Sequence, residues 1–416
     1  MSNILQHIRD LQFSDKSRAE TLLLSFIQNN FPELQVSALE LTPLAVSLNS
    51  FNGFMILDDG TRRFFKTHTE TDTVIDEYYN AEMLHNMGYP VIQPLFKSTE
   101  PGKQLLVYEV IEDPSVFDVA WKIETQNSDA GLPALKEAQN RADDQLLALY
   151  QKSLTTQSAT DAMRSPVHQL FYHRLTGGRL TRFYGEATRI NLPHGQYDMS
   201  DVRSVQWIIN GQQYSESLNH IIERAISLLQ PAQTDVAIIG HGDAHNGNVF
   251  FQEHLVPPAL LYFDPAFAGI HHPLLDLTKP LFHNVFAMWM YYPEEKTVST
   301  PINVEVQGDI WHVNYTYELP TVRHMFLQSK VNRTLVPILQ QLNAERQLRT
   351  DWRRYLKSAL FCCPFLTMNL TDRDKFTPQI SMLGLAMAVE MGSESAGNRS
   401  LIDRTLDQIA DAITLT

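Results

Sequence analysis

A chain of 416 residues, 44% apolar and 19% charged, has ordinary globular composition and the length for two lobes and a large core, which excludes a disordered or fibrous molecule. Its formal charge of −14 argues against a general nucleic-acid binder, because no surplus of Lys and Arg exists to neutralise phosphates. The acidity would suit a cationic substrate, but solvated cytosolic proteins are often acidic, so charge alone does not choose one.

The only cysteines, Cys362 and Cys363, are adjacent, which rules out a disulfide framework or a CxxC metal pair and fits a reducing compartment. The opening Met-Ser-Asn-Ile-Leu-Gln-His lacks a basic region followed by an apolar core, and no apolar run reaches the ~18 residues of a membrane span. The expectation is a cytoplasmic protein without a membrane partner.

Residues 1–34 read as two short helices, the second opened by a capping box, Ser17-Arg18-Ala19-Glu20, whose hydroxyl and carboxylate satisfy the first backbone donors. From 36 to 112 short apolar runs read as strands: Val36 to Leu48, Phe54 to Leu57, Arg63 to Thr67, then Val91 to Phe96 and Gln104 to Ile111 as a closing hairpin. Asn52-Gly53 and Asp58-Asp59-Gly60 punctuate the first three as turns in which Gly permits positive φ. Lys66 ends the third strand among apolar residues, where a lysine without a partner is costly. A helix is predicted from Asp72 to Met87, stopped by Gly88-Tyr89-Pro90.

Residues 115–235 are predicted to be mostly helical, with long helices over Pro133 to Lys152 and Ser215 to Leu229 and an irregular stretch between them. In that stretch Arg174, Arg179 and Arg182 can contact an anionic substrate, although surface residues or carboxylate partners are the plainer reading. The strand Val236 to Ile239 then leads into His241-Gly242-Asp243-Ala244-His245-Asn246-Gly247-Asn248, and Val249 to Phe251 leaves it. A further apolar run, Leu260 to Phe263, ends at Asp264, and a hairpin-like core would bring Asp243, Asn248 and Asp264 to one mouth.

That set is what phosphoryl transfer from a nucleotide needs: one carboxylate takes a hydroxyl proton, while an amide oxygen and a second carboxylate hold magnesium against the triphosphate. Pro273 is expected to open a helix, and Phe282 to Met290 reads as core. Asn303 to Tyr317 reads as a hairpin turning at Gln307-Gly308-Asp309, and the remainder to Thr416 as helical packing.

The 241–248 stretch with Phe263-Asp264-Pro265 is similar to the HGDxHxxN and IDxxxxG signatures of the aminoglycoside phosphotransferase and choline kinase group, small-molecule kinases with a protein-kinase-like fold. The resemblance implies an α+β, two-lobed architecture. A small antiparallel β-sheet lobe with one helix would span 35–112, after an N-terminal helical extension over 1–34. A larger, mainly helical lobe would span 113–416, with the catalytic loop and a β-hairpin insertion near 303–317.

It also implies roles. Asp243 matches the catalytic aspartate and His241 the structural histidine of the catalytic loop, and Asn248 and Asp264 match the two magnesium ligands. Gly269 and Asp276 match the downstream G-x(n)-P-x-x-D pattern. Lys66 would join the catalytic set by gripping the nucleotide phosphates, Asn49 and Ser50 would belong to the loop that covers them, and backbone groups of Glu109 and Ile111 would meet the adenine edge. The family's glutamate slot on the small-lobe helix holds Asn80; Glu77, one turn earlier on the same face, is preferred over Glu82 as the partner of Lys66. The implied cofactors are ATP and Mg2+, and the implied partner is a small hydroxyl acceptor such as an aminoglycoside, an amino alcohol or a sugar.

A protein kinase is the near neighbour, but Asp276 follows Asp264 by only twelve residues and no Ala-Pro-Glu tripeptide follows. Two further readings stand beside the leading one. His241, Asp243 and His245 with His271 and His272 have the residue types of a metallohydrolase cluster, and Asn80 in the glutamate slot favours a catalytically silent nucleotide-binding scaffold.

Overall fold

The computed structural model describes residues 4–42, 50–68, 76–100, 102–126, 130–397 and 399–414, without the side chains of 50, 51, 68 and 76–79. The chain has the mixed α and β architecture expected of it and divides into two compact units, Met1–Asp113 and Pro114–Thr416.

The first unit is built on an antiparallel sheet in the order Val36–Leu41, Ser50–Leu57, Arg62–His68, Leu105–Glu109, Phe96–Ser98. Alternation along the strands sends Met55, Phe65, Leu105 and Val107 to one face. There the helices Ile4–Leu11 and Lys16–Asn30 cover them with Leu5, Ile8, Leu23 and Ile27, so the N-terminal helices share the core of the sheet.

Three local expectations change here. The capping box does not form: Ser17 lies inside the second helix, Asp15 caps it by accepting from Arg18 N at 3.2 Å, and Glu20 instead accepts from Leu41 N at 2.9 Å. Asn52-Gly53 is no turn but the middle of a strand, where a Cβ on Gly53 would lie 2.1 Å from Glu40 O. Close approach of the neighbouring strand, not positive φ, requires that glycine. Gly60, at φ +82°, does make the next turn. The strand expected at Val91 to Phe96 begins only at Phe96, because Pro90 and Pro94 supply no N–H to a ladder.

The second unit is mainly helical. Its deepest elements, Trp352–Leu366 and Pro378–Gly392, are apolar almost all round and correspondingly buried, Cys362 and Cys363 among them. The helix Thr321–Lys330 continues through a π-helical turn, Val331–Leu335, into Val336–Ala344.

Short strands interrupt the region expected to be helical. Gln206–Ile209 and Gln212–Gln213 join the hairpin Ile302–Gln307 and Ile310–Tyr315 in one four-stranded sheet, with Ile310–Tyr315 parallel to Gln206–Ile209. Runs of two to four residues are too short to display the period-two pattern by which a strand is read. The Asp235–Gly240 strand lies between Thr155–Gln157 and Gly269–His271, and Val249–Gln252 pairs with Ala259–Tyr262. No helix among the described residues is long and apolar enough to cross a membrane.

Candidate functional site

The Asp235–Gly240 strand delivers the 241–248 loop, and two glycines let it turn. Gly242 has φ +78°, and a Cβ there would stand 2.3 Å from Phe267 O; one on Gly240 would stand 2.6 Å from the carboxyl carbon of Asp276. Asp276 projects from the Pro273–His283 helix, which His272 caps by accepting from Leu274 N at 3.1 Å.

The Asp276 carboxylate is saturated: one oxygen takes Gly242 N and His271 Nε2 (3.0 Å), the other takes the hydroxyl of Tyr150. Burial alone would raise its pKa, but the hydrogen bonds from His271, Tyr150 and Gly242 hold it down at about 2. Asn246 N donates to Asn284 Oδ1 at 2.8 Å, and Phe263 N donates to Asn248 O at 2.9 Å, so the loop is fixed at three points along its length.

His241 is buried with both ring nitrogens engaged. Nδ1 accepts from Asp243 N at 3.4 Å, which puts the proton on Nε2 to donate to Phe263 O at 3.0 Å. It therefore ties the loop to the residue before Asp264 and acts as a positioning residue. The Asn248 amide is oriented in the same way. Its Nδ2 donates to Asp243 O at 2.9 Å, and since a carbonyl only accepts, Oδ1 is the atom turned away from it. Asp264 sits in the left-handed region at φ +54°, a conformation Asp tolerates better than most residues and one that recurs at functional sites.

Asp243 itself is partly exposed, and its Oδ1 accepts no hydrogen bond, lying 3.7 Å from Lys279 Nζ. Burial works to raise its pKa, but Lys279, His245, Arg174 and His241 together bring it below the usual carboxylate value. His245 is held below its own ordinary value because burial, helped by Lys279 and His241, outweighs the pull of Asp243 in the other direction, so it is neutral at pH 7.

These groups bear on a divalent cation. The Asn248 amide oxygen, which is not the atom on the Asp243 carbonyl, and the carboxylate of Asp264 are hard oxygen donors of the kind Mg2+ takes, so the residue types present fit that ion. The histidines do not assemble as a metallohydrolase centre: among the described residues no three His, Cys, Asp or Glu side chains converge as a metal set.

On the first unit, Lys66 lies in the Arg62–His68 strand opposite Asn52 and Leu106, half-buried and on the face away from buried Phe65. Ser50 opens its strand opposite His68, and Asn49 falls outside the described residues. Glu77 is on the Asp76–Met87 helix with its side chain undescribed, whereas Glu82 is exposed and Asn80 buried. Glu109 closes the Leu105–Glu109 strand opposite Arg63, and Ile111 follows it, half-buried.

Lys279 escaped the sequence reading although the signal was there. It stands in Leu-Leu-Asp-Leu-Thr-Lys-Pro-Leu-Phe, as apolar a setting as that of Lys66, one helical turn after Asp276.

No family model and no curated protein matches the chain. Among solved structures it is similar to a thermostable aminoglycoside phosphotransferase variant bound to ADP and hygromycin B, at 10% identity over 90% of this chain and 99% of that one, with a TM-score of 0.45. It is also similar to an ethanolamine kinase of Plasmodium vivax, at 8% identity over 99% and 96% of the two chains and a TM-score of 0.44. An amicoumacin kinase bound to AMP-PNP and Ca2+ matches at 13% identity over 95% and 92%, with a TM-score of 0.43.

Proposed function

We propose that the chain is an ATP- and magnesium-dependent phosphotransferase that acts on a hydroxyl group of a small molecule. The observation that carries this reading is the locked 241–248 loop: it holds Asp243 and, through Asn248 Nδ2 on Asp243 O, leaves Asn248 Oδ1 off that carbonyl, while His241 binds the same loop to the residue before Asp264. Asp243 orients the acceptor hydroxyl and receives its proton. A carboxylate of lowered pKa is a weak base toward a ground-state alcohol, but a loose phosphoryl-transfer transition state asks chiefly for orientation and a late proton sink.

Asn248 and Asp264 would hold Mg2+, which neutralises charge on the phosphates when bound. In this reading Lys66 takes the nucleotide phosphates with Glu77 as its partner, Asn49 and Ser50 belong to the covering loop, and backbone groups of Glu109 and Ile111 meet the adenine. These last assignments are what the family resemblance of the sequence implies.

The test is acceptor-dependent ADP release from Mg·ATP, with a pool of small metabolites, in wild type and Asp243→Asn. The variant should lose about 100-fold or more in turnover while Mg·ATP binding is kept. Equal turnover in the two proteins, or no ATP binding by either, sinks the reading. Asn80, buried in the slot expected for a glutamate, favours a second reading, a nucleotide-binding scaffold; ATP binding without turnover under every acceptor would select it.

A further inference from the structure

The surroundings of Asp243 have a sign opposite to the chain as a whole. Lys279 is 3% exposed, with Nζ 3.7 Å from Asp243 Oδ1 and 3.2 Å from His283 Nε2. An ammonium group only donates, so Nε2 of His283 accepts and its proton is on Nδ1, from which it goes to the Tyr291 hydroxyl oxygen at 2.7 Å. Burial keeps His283 in this neutral form by driving its pKa well below the ordinary value. The Tyr291 hydroxyl hydrogen then has no acceptor among the described residues and remains available as a donor.

Arg174, on the Tyr172–Thr176 helix, is half-buried and close enough for its charge to act on Asp243, Lys279 and Tyr291. Among the described residues its one hydrogen bond is to Thr367 Oγ1 at 3.4 Å, and Arg179 beside it donates to Leu366 O at 3.2 Å. Among the described residues neither arginine forms an ion pair with a carboxylate.

Capping the C-terminus of the Trp352–Leu366 helix explains Arg179, which meets a main-chain carbonyl there. It leaves Arg174 unexplained, since that residue reaches only a side-chain hydroxyl. Two cations, Lys279 and Arg174, and a phenolic donor thus gather about the Asp243 carboxylate, and partly desolvated positive charge in excess is costly unless a ligand supplies the anion.

We propose that the acceptor is a hydroxyl compound that also carries an anionic group, a carboxylate or a phosphate, held by Arg174, Lys279 and Tyr291 while Asp243 holds the hydroxyl. This rests on the phosphotransferase reading above. The terminal phosphoryl group leaves its bond to the nucleoside diphosphate and forms a new bond to the hydroxyl oxygen, whose proton passes to Asp243. A cationic acceptor would instead bring a third positive charge into the cluster.

The experiment compares hydroxy acids, phosphorylated alcohols, neutral polyols and amino alcohols as acceptors for ADP release from Mg·ATP, in the wild-type full chain and in Arg174→Gln and Arg174→Lys. Hydroxy acids or phosphorylated alcohols should turn over best, and which of the two does so separates the carboxylate from the phosphate. For that class KM should rise about tenfold or more in Arg174→Gln, with kcat falling less and Arg174→Lys recovering part of the loss. Better turnover of polyols or amino alcohols, or an unchanged KM in Arg174→Gln, overturns the proposal.

A second arm needs no transfer: malonate or inorganic phosphate should raise the melting temperature of the wild type and not that of Arg174→Gln. No rise with either probe overturns the anion site. A rise lost in Arg174→Gln, together with ADP release that is equal in wild type and Asp243→Asn, would sink the phosphotransferase reading and leave the anion site standing.

Discussion

The carboxylate of Asp276 receives the backbone N–H of Gly242, 34 residues earlier in the chain, and so holds the entry to the candidate catalytic loop. The same carboxylate serves His271 and Tyr150 and is 3% exposed. Its folded pKa of about 2 lies below the ~3.9 of an unfolded Asp, so its contribution is fully present above about pH 4 and is lost as pH falls toward 2. Asp276→Asn keeps the shape and removes the charge. Urea midpoints at pH 6 should drop by the equivalent of about 2 kcal/mol, with the gap to wild type closing as the pH approaches 2. A gap that stays constant with pH would show that Asp276 is not ionised in the fold.

Gly242→Ala places a side chain at φ +78° and 2.3 Å from a main-chain oxygen, so something in the loop must move. The expected cost exceeds ~1 kcal/mol in thermal or urea unfolding, and turnover should fall further than stability, because the displaced residue adjoins Asp243. Gly60→Ala, at φ +82° with no atom within 4 Å of its Cβ, is the control. It should cost stability and leave turnover unchanged. Equal effects of the two substitutions on turnover would contradict this account of the loop.

Glu390 fastens the four-stranded sheet to the Pro378–Gly392 helix. It accepts from the Tyr214 hydroxyl at 3.3 Å and also from the Tyr315 hydroxyl. Burial pushes its pKa up to about 7 against the lowering effects of Tyr315, Tyr214 and Lys357, with Asp403 adding to the rise. Because the folded value exceeds the ~4.3 of an unfolded Glu, stability should decline as pH rises from about 4 through about 7 and level off above. Glu390→Gln removes that decline, so its unfolding free energy should gain about 1–3 kcal/mol on wild type between pH 5 and pH 8. Parallel pH profiles for the two proteins would refute the assignment.

Lys357 and Asp403 form an ion pair at 1% and 0% exposure, and Asp403 also accepts from Ser395 N at 2.9 Å and Ser395 Oγ at 2.6 Å. Lys357→Met leaves the buried Asp403 carboxylate with Arg353, 3.6 Å away, as its remaining cation and should cost about 3 kcal/mol, whereas Lys357→Met with Asp403→Leu should lie closer to wild type. A double variant as unstable as the single one would mean that the pair contributes through packing rather than charge.

The residues from His241 to Asn248 were legible because their geometry is mostly local. Asn248 reaches the carbonyl of Asp243, and Asp243 N reaches the ring of His241, within a stretch short enough to be read as a pattern. The strands on either side and the 302–315 hairpin follow from short apolar runs for the same reason, and the Pro273–His283 helix from the proline that opens it. Ser17, Glu20, Asn52 and Gly53 misled it, since their types fit a cap and a turn while their neighbours across the sheet settled their use.

The sequence by itself determined which side chains the loop presents. Only the tertiary structure decided what surrounds them. Arg174, Asp243, Lys279 and Tyr291 come from separate elements and share no spacing. The free energy of a buried charge depends on which groups lie within a few ångströms of it, and that neighbourhood exists only once the helices have packed.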